Sequence, residues 1–259
     1  MDSFVNPAHQ DLITAFGQLS DESRSAELDA AALVSRALAP ERAVASIKSE
    51  VARLSAQCTM PDQPWQYLRQ LGFQGNDGGG VLRGSCLDEV LTRRSGLPIS
   101  LGVLLIHLAR QQGHETWGVN FPGHFLVKVA STLVDPYQMI EVSEAECLAR
   151  LAPEQRQGAF ARAPARLVAL RMLNNLKYQF AATAAWARAL DMLDFQLALV
   201  PADGPLLLER AEFWLRLGAV DAARTILQEV SAAAEDGSEL QSLARTQLEA
   251  IANKRNTLH

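Results

Sequence analysis

The stretch TWGVNFPGHFLVKVASTLVDPY, residues 116–137, decides the fold class of this chain. It contains three short segments rich in β-branched and aromatic residues, separated by turn-forming dipeptides. This pattern predicts three antiparallel strands, at residues 116–121, 124–129 and 132–135. The rest of the sequence has no comparable strand pattern, so the predicted sheet is small.

An apolar helix is predicted immediately before these strands. Pro98 suits the first turn of a helix, residues 101–108 are strongly apolar, and Gly113 suits a helix end. A shorter helix is predicted at residues 85–94. The expected middle domain, residues 75–160, is therefore a core of helix plus a small antiparallel sheet.

Helical patterns dominate the chain before this core. Residues 1–74 are rich in Ala and Leu at helical spacing, which predicts an N-terminal helical segment. The glycine-rich run at residues 75–80 then predicts a mobile surface loop. It lacks the preceding strand and the motif of a phosphate-binding loop, so we do not expect it to bind phosphate.

The last stretch, residues 161–259, is also helical and contains an internal repeat. Helix pairs that recur every 34 residues are typical of tetratricopeptide repeats, and Pro201 lies where such a repeat closes. An unrelated helical bundle is the alternative. A slide of 34 residues aligns Phe180 with Trp214, Ala184 with Gly218, and Leu193 with Leu227.

Composition and charge exclude several classes of function. The net charge is −5 and basic residues are interspersed with acidic ones, so a nucleic-acid partner is not expected. The longest apolar run, residues 101–106, is far too short to span a membrane. The first residues show no secretion signal, so a cytoplasmic location is expected.

The cysteines and histidines form no recognisable metal motif. The three cysteines include no CxxC pair, and the five histidines include no HExxH pattern. We therefore expect no structural metal, no disulfide framework and no cofactor.

One constellation in the core could carry chemistry. His124 begins one predicted strand and Asp135 ends the next, so antiparallel pairing would bring them together. A carboxylate that orients an imidazole is the base half of a nucleophilic triad. In papain-like proteins the nucleophile lies at the start of a helix packed on the sheet, and here that position offers only the hydroxyl of Ser100.

Each of these residues has a structural alternative that the sequence leaves open. His124 is either a functional imidazole or a strand residue that only hydrogen-bonds, and Asp135 before a proline is also a common turn residue. Ser100 at a helix start is more often a cap than a nucleophile. Cys86 precedes His124 by a tolerable interval but lies before a different helix, where a small packing residue is the simpler interpretation.

Four motifs follow one another in the chain: GFQGN (residues 72–76), RRSGLPISL (93–101), GVNFPGHFLV (118–127) and VDPY (134–137). In this order they closely resemble the SirB-type invasion-regulator family of bacteria. The resemblance runs from about residue 30 to about residue 230. The chain departs from the usual residues of the family at Gly84, at Cys86 and at the pair Gln138-Met139.

The resemblance implies a papain-like, transglutaminase-type core followed by tetratricopeptide repeats. It implies that His124 and Asp135 stand where the superfold keeps its catalytic histidine and aspartate. It also implies that the active-site cysteine of true transglutaminases is replaced near Ile99 and Ser100.

We therefore predict an α+β protein with a papain/transglutaminase-like core, an N-terminal helical segment and a C-terminal tetratricopeptide-like helical domain. Three functions are compatible with it. The favoured one is a degenerate transglutaminase-like protein without enzymatic activity, which binds a protein or peptide through its cleft and its repeats. The second is an active hydrolase or acyltransferase that uses Ser100 or Cys86 with His124 and Asp135. The third is a purely structural adaptor.

Overall fold

A computed structural model describes residues 7–76 and 80–256 of the chain. The chain divides into two compact units, residues 1–175 and residues 176–259. Among the described residues, no helix combines the length and the apolar character needed to cross a bilayer.

The first unit begins with helices, as the Ala- and Leu-rich sequence predicts. Their buried positions recur at helical spacing, for example Ile47, Val51 and Ser55 on the third helix, which fixes the face that packs against the core. The helices are α1 (Pro7–Gly17), α2 (Ala26–Leu38), α3 (Val44–Ala56) and α4 (Pro64–Gln70).

The segment that follows differs from the sequence prediction at Gly75. Two-residue strands β1 (Gln74–Gly75) and β2 (Ser95–Gly96) pair in parallel, so Gly75 belongs to a strand and not to a loop. A Cβ on Gly75 would collide with the Tyr137 ring, which explains the glycine. Residues 77–79 of the predicted loop lie outside the described residues.

The single helix predicted at residues 85–94 is two short helices. These are α5 (Val81–Ser85) and α6 (Leu87–Arg93). Cys86 separates them in an extended conformation, with φ −87° and ψ 118°. An extended residue cannot continue a helix, so the break occurs there.

The core helix and the three predicted strands are present. Helix α7 (Pro98–Gln111) precedes them, as expected. The third strand spans residues 132–135, as predicted. The middle strand begins at Leu126, two residues after the predicted start at residue 124. The strands and the helix between them are β3 (Thr116–Val119), β4 (Leu126–Val129), β5 (Thr132–Asp135), β6 (Ile140–Glu141), α8 (Glu144–Ala149) and β7 (Arg162–Ala163).

These strands form an antiparallel sheet in the order β6-β5-β4-β3-β7, and α7 packs on β3 and β4. Glycines allow this close approach, because the Phe125 ring lies against Gly102 of the helix and Gly118 of β3. A Cβ on Gly102 would lie 2.6 Å from that ring. The ring of Phe125, the residue after His124, thus packs between the helix and the sheet.

The remaining helices contain a turn that is repeated every 34 residues. They are α9 (Ala165–Ala182), α10 (Trp186–Leu199), α11 (Gly204–Arg216), α12 (Val220–Ala233) and α13 (Glu239–Asn256). In the two equivalent turns, Ala184 and Gly218 both have positive φ, 56° and 80°. The next amide closes each turn with a 2.9 Å hydrogen bond, which Phe180 O accepts from Ala185 N and Trp214 O accepts from Ala219 N.

Leu193 and Leu227 lie at equivalent positions of these helices and are buried, as their spacing predicts, and Leu197 is buried as well. Leu193 and Leu227 are completely inaccessible and Leu197 is 9% exposed. A second feature of the unit is an ion pair between Lys177 and Glu209, in which the lysine is only 1% exposed. Burying that ammonium removes it from water, so it depends on its carboxylate partner.

Candidate functional site

The predicted pair of His124 and Asp135 is brought together at one edge of the sheet. Asp135 is the last residue of β5, and His124 lies in the turn that leads into β4. These two strands pair with Val127 opposite Val134, so the ends that carry the two residues coincide. His124 Nε2 lies 3.0 Å from Asp135 Oδ1, which confirms the predicted contact.

Asp135 is held as a carboxylate by hydrogen-bond donors from one side chain and from the backbone. The same oxygen, Oδ1, also accepts from Tyr137 N at 2.8 Å. Burial alone would raise the pKa of Asp135, but the hydrogen bond and the charge of His124, together with the backbone donors Tyr137 and Gln138, lower it. The result is an ionised group that orients the imidazole.

The imidazole of His124 has one nitrogen left for a further partner. Nε2 donates to the ionised Asp135. The other ring nitrogen, Nδ1, has no hydrogen-bond partner among the described residues. The side chain is 32% exposed, against 12% for Asp135. An external molecule can therefore reach His124, while Asp135 stays behind it.

Ser100 lies at the start of α7, where a papain-like protein keeps its nucleophile. Its side chain is completely buried, and within the described ranges Oγ has no hydrogen-bond partner. No hydrogen bond joins Ser100 to His124 or Asp135 among the described residues. A hydroxyl that lacks both solvent access and a base is not activated as a nucleophile.

Cys86 and Cys147 also lack the environment of a reactive thiolate. Cys86 is 3% exposed, and burial raises its pKa to about 11, against the lowering effect of Arg42. Cys147 is buried in the cluster around Val119, and its pKa is raised for the same reason. A catalytic thiol needs a depressed pKa, so neither residue suits that role.

Within the described ranges, no group of acidic, histidine or cysteine side chains could hold a metal ion.

Sequence reasoning missed two residues of this site, Arg171 and Asn120. Arg171 on α9 donates from Nη1 to Asn120 Oδ1 at 2.7 Å and from Nη2 to His124 O at 2.9 Å. Arg171 lies 47 residues after His124, within a helical pattern that gave no hint of this contact. The one sequence feature that could have pointed to this contact was the NFPGH turn, residues 120–124.

The lowered pKa of Asp135 predicts how stability depends on pH. Because the folded-state pKa lies below the usual value of 3.8, the contribution of Asp135 is present above about pH 4 and is lost as the pH falls through the folded pKa. We expect Asp135→Asn to lose less unfolding free energy between about pH 6 and pH 3 than the wild type.

Urea unfolding at a series of pH values measures this difference. Asp62→Asn, at an exposed position, is the control variant and should follow the wild type. Parallel pH profiles for the wild type and Asp135→Asn would contradict the proposed ionic contribution of the His124 contact.

Comparisons with known proteins agree with this geometry. The family model described as the transglutaminase-like superfamily matches residues 25–174. A UPF0162 protein of Xylella fastidiosa strain 9a5c is 36% identical over 197 residues, which cover 70% of this chain and 70% of that protein. F-box only protein 21 of Mus musculus is 29% identical over 167 residues, 58% of this chain but 26% of that protein. No solved structure gives a significant match.

Proposed function

The chain belongs to the transglutaminase-like superfamily, and we propose that it is a catalytically degenerate member that acts by binding another protein. In this proposal it is a SirB-type protein, in which the half-exposed His124 edge and tetratricopeptide repeats provide the recognition surfaces. The UPF0162 relatives are bacterial proteins, which agrees with a SirB-type assignment.

The observation that carries the proposal is the state of Ser100. Transglutaminase and thiol-protease chemistry requires a thiolate at the start of the helix, where the helix dipole lowers the thiol pKa. This chain has a buried hydroxyl there, with no hydrogen-bond partner in the part of the chain that the structure describes, and the two buried cysteines have raised pKa values. A histidine and aspartate without a nucleophile can still bind a ligand through hydrogen bonds.

The repeated turns support the second part of the proposal. Two helix pairs, α9–α10 and α11–α12, share the same closing hydrogen bond and the same positive-φ position. Small residues at equivalent positions, Ala189 and Ala223, are completely buried, which allows close helix crossing. Such pairs bind extended or helical peptides along one surface.

We expect the purified protein to show no turnover of amine donors with glutamine-containing peptides, of peptide bonds or of generic esters. The reason is the absent thiolate, since removing an activated nucleophile costs several orders of magnitude in rate, about 10⁴-fold or more. The assay is run alongside Ser100→Ala, Cys86→Ala and His124→Ala. Turnover that disappears in His124→Ala and in either nucleophile variant would overturn the degenerate assignment.

The binding role is tested on the exposed part of α9. Tyr178 is 60% exposed although it is aromatic and lies on a repeat helix, which is the character of a contact residue. We expect one partner protein, enriched from bacterial lysate by the wild type and identified by mass spectrometry, to bind purified Tyr178→Ala at least about 10-fold more weakly. Leu243→Ala, at a 46% exposed position on α13, is the matched control.

A specific observation favours the second candidate, an active hydrolase or acyltransferase. The imidazole is oriented by Asp135 and keeps Nδ1 available, as a general base requires. In that case Ser100 or Cys86 would have to become accessible when substrate binds. The same turnover assay distinguishes the two functions.

A further inference from the structure

We propose that Arg171 is a positioning residue, which fixes the turn at residues 120–124 so that the His124 imidazole pairs with Asp135. The inference deepens the proposed function and rests on it only in treating the His124–Asp135 pair as the functional site.

The contacts of Arg171 join both ends of one turn. The turn between β3 and β4 runs from Asn120 to His124, and the guanidinium binds the side chain of the first residue and the carbonyl of the last. The two distances, 2.7 and 2.9 Å, are those of well-formed hydrogen bonds. A planar fork that holds two acceptors at once is a property of arginine that lysine lacks.

The guanidinium also contacts an aromatic ring. Arg171 Cζ lies 5.6 Å from the centroid of the Phe125 ring, within the range of a cation–π contact. That ring is itself clamped by Gly102 of α7 and Gly118 of β3. Arg171 therefore connects the turn to the place where α7 packs on the sheet.

The electrostatic surroundings argue against an ordinary stabilising ion pair. Burial lowers the pKa of Arg171, and among the described residues no carboxylate pairs with it. Its recorded partners are an amide oxygen, a carbonyl and a ring face. A half-buried cation without a counterion costs free energy, so a positional role explains its presence better than stability does.

The turn needs such a fixed point because it is locally permissive. Gly123 has a φ of +71°, a left-handed conformation that glycine adopts without strain, so no side chain restricts the backbone at this position. Its internal closure is one backbone bond, from His124 N to Phe121 O at 3.1 Å. Holding the His124 carbonyl sets the direction of the Cα–Cβ bond, and thereby the reach of Nε2 to Asp135.

The test measures the pKa of Asp135, which is lowered partly by His124. The NMR chemical shift of the Asp135 carboxyl carbon is followed through a pH titration of the full chain. In Arg171→Met we expect its titration midpoint to move upward by about half a pH unit or more, because the His124 contact is loosened. Arg171→Lys keeps the charge but loses the fork, and should shift the midpoint in the same direction.

A double variant separates positioning from a direct charge effect. In the His124→Ala background, Arg171→Met should produce no further shift, because the imidazole through which Arg171 acts is gone. The matched control is Arg166→Met on the same helix, which removes a hydrogen bond to Leu19 O (2.9 Å) and should leave the midpoint unchanged.

Two outcomes would overturn the proposal: an unchanged Asp135 midpoint in folded Arg171→Met, or an equal shift in the His124→Ala background. If Arg171→Met does not fold, Asn120→Ala removes one of the two acceptors and is read in the same way. No substrate or partner enters this measurement, so its failure is distinct from a failure of the proposed function, which the turnover and binding assays decide.

Discussion

Glu209→Ala is expected to lower the free energy of unfolding by about 3 kcal/mol, because it leaves the ammonium of Lys177 buried without its carboxylate. Lys177 is 1% exposed, whereas Glu209 is 24% exposed, so the lysine bears most of the desolvation. An unpaired buried charge must be hydrated by local unfolding or must lose its proton, and both cost free energy.

Urea unfolding of Glu209→Ala, Lys177→Met and the double variant measures this effect as a cycle. Lys177→Met removes the charge and keeps the length of the side chain, so we expect a much smaller loss than in Glu209→Ala. In the double variant the loss caused by Glu209→Ala should largely disappear. A loss below about 0.5 kcal/mol in Glu209→Ala would contradict the dependence of Lys177 on this partner.

Leu193→Ala is expected to lower the free energy of unfolding by about 2–5 kcal/mol. Leu193 is completely buried in a cluster with Ala189, Leu190 and Phe213. Removing its side chain leaves a cavity in addition to the lost transfer free energy, and close-packed helices collapse only in part around it.

The matched control for this prediction is Leu243→Ala. Leu243 is 46% exposed on α13, and its loss should change stability by less than about 0.5 kcal/mol. A Leu193→Ala variant that unfolds at nearly the same urea concentration as the wild type would show that the 34-residue unit does not use this position as core.

The elements with strong local signals were predicted correctly from the sequence. The core helix begins at Pro98, as predicted, because proline fits the first helical turn. The β-branched segments formed β3, β4 and β5 because alternating side chains of that kind pack well on a pleated surface. The contact of His124 with Asp135 followed from antiparallel pairing alone.

Weak or non-local signals misled the prediction. Gly75 was expected in a loop, yet it forms a strand with β2 because the chain returns 20 residues later to pair with it. Cys86 was expected within one helix, yet it lies between two short helices, α5 and α6. Both outcomes depend on neighbours distant in the sequence, which periodicity does not report.

The sequence by itself determined the helical and β-rich stretches, the 34-residue spacing and the pairing of His124 with Asp135, because each depends on local pattern or on one turn. Tertiary structure alone decided that Ser100 is sealed and that Arg171 holds the His124 turn. Solvent access and contacts across 47 residues depend on how α7, α9 and the sheet pack together, and packing is a property of the whole unit and not of any segment.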